Sequence, residues 1–109
     1  MVDDVEGMTI ADYQREVMRT HGSDAPWRTR FAVFALGISG EAGEVAEIAK
    51  KHLGHGRPLD IDALRLELGD VLWYVAALAA ECGMTLDGVA RANVEKLRKR
   101  YPNGFEVKP

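Results

Sequence analysis

Hydrophobic and polar positions follow a helical period most clearly in the middle of the chain. Between Ile61 and Leu78, apolar residues recur at steps of three and four, the spacing of an α-helix that faces a core. No charge occurs from Val71 to Ala80, so this half of the helix is predicted to be buried on nearly every side. Asp60 suits the N-cap, and Cys82-Gly83 ends the helix, since Gly is common just after a helical C-terminus.

Three further helices are predicted at about 9–20, 29–53 and 85–100. Thr9 and Asp12 are spaced as a capping box, and Thr85 suits an N-cap. Segments rich in Gly, Pro and Asn separate the helices, and no segment shows the period-two alternation of a strand. The predicted fold is all-α, an antiparallel bundle of about four helices with short loops, formed by residues 1–109 as a single domain.

Composition narrows the class of protein further. The chain has 109 residues, of which 47% are hydrophobic and 28% charged, as in soluble globular proteins. A domain this small is marginally stable alone, so we expect a homodimer or homotetramer. The net charge of −3 argues against nucleic acid or an anionic membrane as a partner. It leaves room for a phosphorylated ligand, because a metal ion can neutralise phosphate.

Cysteine use and the first residues bear on the compartment. A single cysteine, Cys82, excludes an internal disulfide and is expected to pack in the core. No apolar run reaches the ~18–20 residues of a membrane span. Residues 1–6 are acidic and lack the basic start of a signal peptide, so a cytoplasmic location is expected.

Two carboxylate pairs are the candidate chemistry. Glu41 and Glu44 are three apart on the second helix, and Glu67 and Asp70 are three apart on the third. Residues at this spacing are neighbours on a helix surface. A short loop joins the two helices, so the pairs are expected to face each other on adjacent antiparallel helices.

The surroundings of the pairs favour a cation. Glu41 follows an uncharged block of ten residues and Asp70 precedes one, so both pairs lie where a buried half-helix meets a polar one. Carboxylates converging there would repel one another, and a hard cation such as Mg²⁺ or Mn²⁺ would relieve this. Acidic pairs also occur on solvated helix faces, which is the alternative. Glu47 and Glu81 are expected to be solvated, although Glu47 could instead orient one of the metal ligands.

Two motifs resemble a known family. Gly40-Glu-Ala-Gly-Glu-Val-Ala-Glu47 followed by Glu67-Leu-Gly-Asp-Val71 resembles the E-x-x-E … E-x-x-D signature of MazG-like nucleoside triphosphate pyrophosphohydrolases. The segment from Asn93 to Phe105 is similar to the N-x-x-K-L-x-x-R-Y-P ending of small MazG-like proteins. Many members carry a further glutamate at the position of Gly40; with glycine there, this chain resembles the dCTP pyrophosphatase-like branch. The number of ligands is therefore open by one.

The resemblance implies a mechanism. Glu41, Glu44, Glu67 and Asp70 would hold Mg²⁺, with Mn²⁺ as a substitute. Water would attack the α-phosphorus of a (deoxy)nucleoside triphosphate and release a nucleoside monophosphate and pyrophosphate. Glu41 or Glu44 would act as the general base. The expected role is house-cleaning of the nucleotide pool.

The substrate also needs cations and an apolar wall. Lys96 and Arg100 share a face of the fourth helix with Asn93, and they could bind phosphate or simply suit the helix end. Lys51 lies on nearly the same face as Glu44 and could also reach the phosphates. Tyr74 follows Asp70 by one turn and could contact sugar or base, although packing is an alternative role for it.

Rival interpretations remain open at this point. One is phosphoribosyl-ATP hydrolysis, and the other is a non-catalytic helical oligomerisation module with a solvated acidic face. Gly37, Gly40 and Gly43 recur every three residues, but no strand precedes them and no Gly-Lys-Ser/Thr follows, so they do not form a phosphate-binding loop. Glycines on a helix instead permit close approach of a neighbouring element.

Overall fold

Four α-helices make up the fold. A computed structural model describes residues 5–104, in which a short 3₁₀ turn at Val5–Gly7 precedes the helices. The helices are α1 (Ile10–Thr20), α2 (Trp27–Gly54), α3 (Ile61–Glu81) and α4 (Leu86–Arg100). No strand occurs in the described range, so the predicted all-α class is confirmed. None of these helices is both long enough and apolar enough to cross a bilayer.

Side-chain caps fix the starts of three helices where the sequence places them. The Thr9 hydroxyl accepts from the Asp12 amide, and the Asp12 carboxylate accepts from the Thr9 amide, both at 3.0 Å. Asp60 Oδ1 accepts from the Ala63 amide at 2.9 Å, and the Thr85 hydroxyl caps α4 in the same way. A cap of this kind stabilises a helix by about 1 kcal/mol, so the local sequence alone favours these boundaries.

The end of α3 is a glycine turn. Gly83 has a φ of +73°, a left-handed conformation that favours glycine. Met84 N–H donates to the Ala79 carbonyl at 2.8 Å, and Gly83 N–H donates to Ala80 at 3.1 Å. These two bonds form a Schellman motif, which confirms the predicted stop. Cys82 lies at this turn and is exposed, so its predicted core position is wrong.

Helix α2 begins at Trp27, two residues earlier than the sequence predicts. Its N-cap, Pro26, has no side-chain hydrogen bond to mark the boundary. The indole N–H of Trp27 instead donates to the carbonyl of Glu81 at 2.8 Å. A contact with the far end of α3 therefore helps to fix this helix start, and local sequence could not reveal it.

Helices α2 and α3 lie side by side and antiparallel. Gly37 faces Tyr74, Glu41 is grouped with Asp70, and Ile48 lines the same pocket as Ala63. Residue numbers thus rise along α2 as they fall along α3. Helices α1 and α4 both pack against α3 and against each other. Within residues 5–104, the backbone of α4 does not approach that of α2.

The core lies where α1, α2, α3 and the start of α4 meet. Its buried members are Val17, Phe34, Ala76, Ala77 and Leu86. The small alanines of α3 allow close packing there. Gln14 ties α1 to the α3–α4 turn, because its Nε2 donates to the Met84 carbonyl at 3.1 Å and its Oε1 accepts from the Leu86 amide at 2.9 Å.

The two uncharged helical blocks differ in burial. In the second half of α3, Ala76, Ala77 and Ala79 are buried, as predicted. In α2, only Phe34 is buried, while Val33 and Leu36 are 51% and 72% exposed. The single chain thus leaves apolar surface of α2 uncovered.

Candidate metal and nucleotide site

Three of the four predicted carboxylates converge between α2 and α3. One oxygen each from Glu41, Glu67 and Asp70 lies within 4.8 Å of the other two. Glu41 and Glu67 are half-buried and Asp70 is exposed, so the group opens to solvent on one side. The antiparallel register of the two helices brings these residues together, as their spacing predicts.

Glu44 lies at the edge of this group. Its side chain is exposed and its oxygens fall outside the three-oxygen cluster. Its negative charge nevertheless reaches Glu67 and contributes to the raised pKa of that carboxyl. The structure thus places the second glutamate of the first pair beside the cluster rather than within it.

Negative charge dominates this cluster within the part of the chain that the structure describes. Partial burial raises the pKa of Glu67, and the charges of Asp70, Glu41 and Glu44 raise it further. No lysine or arginine within residues 5–104 forms an ion pair with any of the four carboxylates. The carboxylates repel one another and all offer oxygen ligands. Such a donor set fits a hard divalent cation.

An aromatic wall adjoins the carboxylates. Glu41 and Asp70 share a cavity of about 350 Å³ with Trp73 and Tyr74. The two rings meet edge to face, with centroids 5.0 Å apart. Trp73 Nε1 donates to the Thr20 hydroxyl at 2.8 Å, which ties its ring to the end of α1. The cavity is therefore lined by both acidic and aromatic side chains.

Helix α1 also borders this region, which the sequence did not indicate. Burial and the charge of Asp70 together raise the pKa of the Tyr13 phenol. In the sequence, Tyr13 is only one member of a modest apolar stripe. Its nearness to Asp70 depends on the packing of α1 on α3, which periodicity cannot specify.

The predicted phosphate-binding cations lie away from the carboxylates in the single chain. Lys51 lines a separate pocket at the α2–α3 turn with Arg57 and Asp60. Asn93, Lys96 and Arg100 lie on the half of α4 in which every residue from Ala90 onward is exposed. No contact among the described residues joins these three side chains to Glu41, Glu67 or Asp70.

The prediction for Glu81 is wrong. Its side chain is only 5% exposed, not solvated. Arg30 Nε donates to Glu81 Oε1 at 2.8 Å, and Nε2 of His21 lies 2.7 Å from the same oxygen. The Arg30 hydrogen bond, with a further contribution from His21, lowers the pKa of Glu81. By contrast, Glu47 is solvated as predicted, with its side chain 54% exposed.

Comparison with known proteins defines the class. The profile of the MazG nucleotide pyrophosphohydrolase domain matches residues 31–105. The chain therefore belongs to this family, as the two motifs predict. The matched residues contain all four candidate carboxylates and the basic half of α4.

Individual relatives share the same region. The chain is 42% identical over 73 residues to the gene 37 protein of Mycobacterium phage L5, covering 63% of this chain and 64% of that protein. It is 38% identical over 73 residues to human dCTP pyrophosphatase 1, covering 62% of this chain but 43% of that protein. It is 36% identical over 70 residues to the uncharacterized YvdC of Bacillus subtilis, covering 56% and 66%. The matched region thus spans less than two thirds of each relative, and no solved structure matches significantly.

Proposed function

We propose that this protein hydrolyses (deoxy)nucleoside triphosphates to a nucleoside monophosphate and pyrophosphate in a Mg²⁺-dependent reaction. Membership of the MazG family supports the class of reaction. The observation that carries the proposal is the convergence of Glu41, Glu67 and Asp70 from two helices beside an aromatic cavity. On a solvated acidic face the carboxylates can lie apart. Here they lie close enough that their charges raise the pKa of Glu67.

Each carboxylate has a proposed role. Glu41, Glu67 and Asp70 would hold Mg²⁺, and Mn²⁺ could replace it, because both prefer oxygen ligands. A divalent cation bound there would offset phosphate charge and lower the pKa of a nearby water. Glu44, exposed one turn from Glu41, would take the proton of the water that attacks the α-phosphorus. The bond from the α-phosphorus to the bridging oxygen breaks, and pyrophosphate leaves.

The two ends of the substrate call for different surfaces. We assign the base and sugar to the aromatic side of the cavity, at Trp73 and Tyr74. Lys51 follows Glu44 by seven residues, about 10 Å along the helix, so its long side chain could approach the terminal phosphate. Human dCTP pyrophosphatase 1 is among the relatives, which makes dCTP the first nucleotide to test.

A second copy of the chain would complete the site. The exposed half of α4 carries Lys96 and Arg100 together with the apolar Val94 and Leu97, 44% and 42% exposed. Leu36 on α2 is also uncovered. A homodimer or homotetramer that buries these apolar residues could bring the α4 cations and Asn93 to the phosphates of a neighbouring copy. Sedimentation at micromolar concentration is expected to show such an assembly, and a monomer alone would contradict it.

The direct test is pyrophosphate release from a panel of dNTPs, with Mg²⁺ and with a chelator. We expect Mg²⁺-dependent turnover of at least one nucleotide, and phosphoribosyl-ATP is included to test the rival substrate. If no nucleotide is hydrolysed at high protein concentration while the helical fold is intact, the proposed activity is wrong.

A further inference from the structure

Gly37 lies against the ring of Tyr74. A Cβ at position 37 would lie 2.7 Å from Tyr74 Cζ and would clash still more severely with Cε1 and Cδ1 of the same ring. Gly37 lies in the interior of α2, where no turn or left-handed backbone requires glycine. A glycine there costs the helix about 1 kcal/mol relative to alanine. What it provides is room for the Tyr74 ring.

Other glycines of α2 do not share this contact. At Gly40 and Gly43, an added Cβ would meet no atom within 4 Å in the described chain. Of these three glycines, spaced three residues apart, only Gly37 therefore permits the close approach that the sequence suggested. The difference provides a matched control on the same helix.

The contact lies one turn from the carboxylates on both helices. Gly37 precedes Glu41 by four residues, and Tyr74 follows Asp70 by four. Tyr74 lines the cavity with these two carboxylates, while its ring is flanked by Phe34, 6.4 Å away between centroids, and by Trp73. Because Phe34 and Trp73 flank the ring on other sides, we infer that a ring pushed off α2 would move into the cavity.

We propose that Gly37 is a positioning residue that keeps the nucleoside end of the cavity open by letting the Tyr74 ring lie against α2. This inference rests on the proposed function. It means that the absence of a side chain at position 37 determines whether the base and sugar fit the cavity. Alanine at position 37 would drive the ring into the space that the base and sugar occupy. The carboxylates themselves would keep their places.

The test compares Gly37→Ala with Gly43→Ala, both measured against the wild-type full chain. For the dNTP that the wild type hydrolyses best, we expect Gly37→Ala to raise KM by about tenfold or more and to change kcat by less than about threefold. Mn²⁺ affinity, followed by electron paramagnetic resonance without nucleotide, should equal that of wild type. Gly43→Ala should change none of these quantities by more than about twofold.

A double-variant cycle separates the proposed role from general damage to the fold. In a Tyr74→Ala background, which removes the ring, adding Gly37→Ala should leave KM unchanged and should stabilise α2 by its better helix propensity. Near-UV circular dichroism should change between wild type and Gly37→Ala but not between Tyr74→Ala and the double variant. If Gly37→Ala alone fails to fold, a folded double variant with the KM of Tyr74→Ala supports the inference.

Three results would overturn it. The KM of Gly37→Ala could match that of Gly43→Ala, its effect could persist undiminished without the Tyr74 ring, or the double variant could fail to fold while Tyr74→Ala folds. In each case a wild type that hydrolyses nucleotides would leave the proposed function standing. A wild type with no activity would instead reject the proposed function, and this inference with it.

Discussion

Two glutamates of the same helix have opposite electrostatic environments. Glu81, at the end of α3, has a lowered pKa because Arg30 and His21 hold its carboxylate. Glu67, four turns earlier, has a raised pKa because it is partly buried and has Asp70, Glu41 and Glu44 around it. Among residues 5–104, Glu81 has ion-pair partners and Glu67 has none.

The register of α2 against α3 explains the difference. Helix α2 carries Arg30 near its start and Glu41 eleven residues later, and each lies opposite an acidic residue of α3. At the level of Arg30 and Glu81, the paired level, opposite charges offset each other. This ion pair joins the start of α2 to the end of α3. At the level of Glu41 and Glu67, the unpaired level, like charges meet, and no ion pair with residues 5–104 offsets them. The Glu81 level is therefore structural, and the Glu67 level is the one suited to bind a ligand.

The largest expected effect is on turnover at the unpaired level. Asp70→Asn and Glu67→Gln should each lower kcat/KM for the preferred dNTP by about 10³-fold, because each would remove a proposed metal ligand beside the reacting phosphate. Both should keep the helical circular dichroism of wild type. Steady-state pyrophosphate release measures the effect.

Glu47→Gln is the matched control for these variants. It removes a carboxylate from α2, three residues after Glu44, yet this side chain is solvated and its Oε1 lies 4.0 Å from Lys50 Nζ. Its activity should stay within about twofold of wild type. If Asp70→Asn kept wild-type turnover, or Glu47→Gln lost as much as Asp70→Asn, the assignment of the ligands would be wrong.

An intermediate effect on kcat/KM is expected from the basic residues of α4, which do not contact Glu67 in the single chain. Lys96→Ala and Arg100→Ala should each lower kcat/KM by about tenfold, equivalent to about 1.4 kcal/mol of lost phosphate binding. The control is Lys99→Ala on the same helix, which should have little effect. Equal losses in all three variants would indicate a general influence of basic charge rather than a phosphate clamp.

The smallest effect is on stability at the paired level. Glu81→Gln should reduce the free energy of unfolding at pH 7 by about 1–3 kcal/mol, since it weakens the interaction with a charged donor and with His21. Because folding lowers the pKa of Glu81, its stabilisation is present above the ordinary carboxyl pKa of 4.5. It is lost as pH falls through the lowered value.

Urea unfolding at several pH values measures this difference. The gap between wild type and Glu81→Gln should narrow below about pH 4.5. Activity per folded molecule should stay close to that of wild type. A gap that is constant from pH 7 to pH 3 would show that ionisation of Glu81 does not contribute to stability.

The sequence predicts the carboxylate cluster around Glu67 better than it predicts the ion pair between Glu81 and Arg30. Spacing along each helix and the short loop between α2 and α3 are both visible in the sequence. They suffice to predict that Glu41, Glu67 and Asp70 lie together. The Glu81–Arg30 pair joins residues 51 positions apart, and its register depends on where α2 begins. That start is marked by Pro26 without a side-chain cap, so the periodicity of α2 could not place it.

The same limit applies to side chains around the cavity. Tyr74 is predicted from its one-turn spacing after Asp70, but its fit against Gly37 needs the interhelical distance. Tyr13 reaches the region through the packing of α1, which no local pattern specifies. Cys82 was predicted to be buried from residue type alone, yet the glycine turn after α3 leaves it exposed.

The most direct test of the central claim is a titration of the nucleotide-free protein with Mn²⁺, followed by electron paramagnetic resonance, for wild type, Asp70→Asn and Glu81→Gln. Wild type and Glu81→Gln should bind Mn²⁺ with equal affinity, and Mg²⁺ should displace it. Asp70→Asn should bind at least about tenfold more weakly. Binding by Asp70→Asn as tight as that of wild type would contradict the claim that the unpaired carboxylates of α2 and α3 form the metal site.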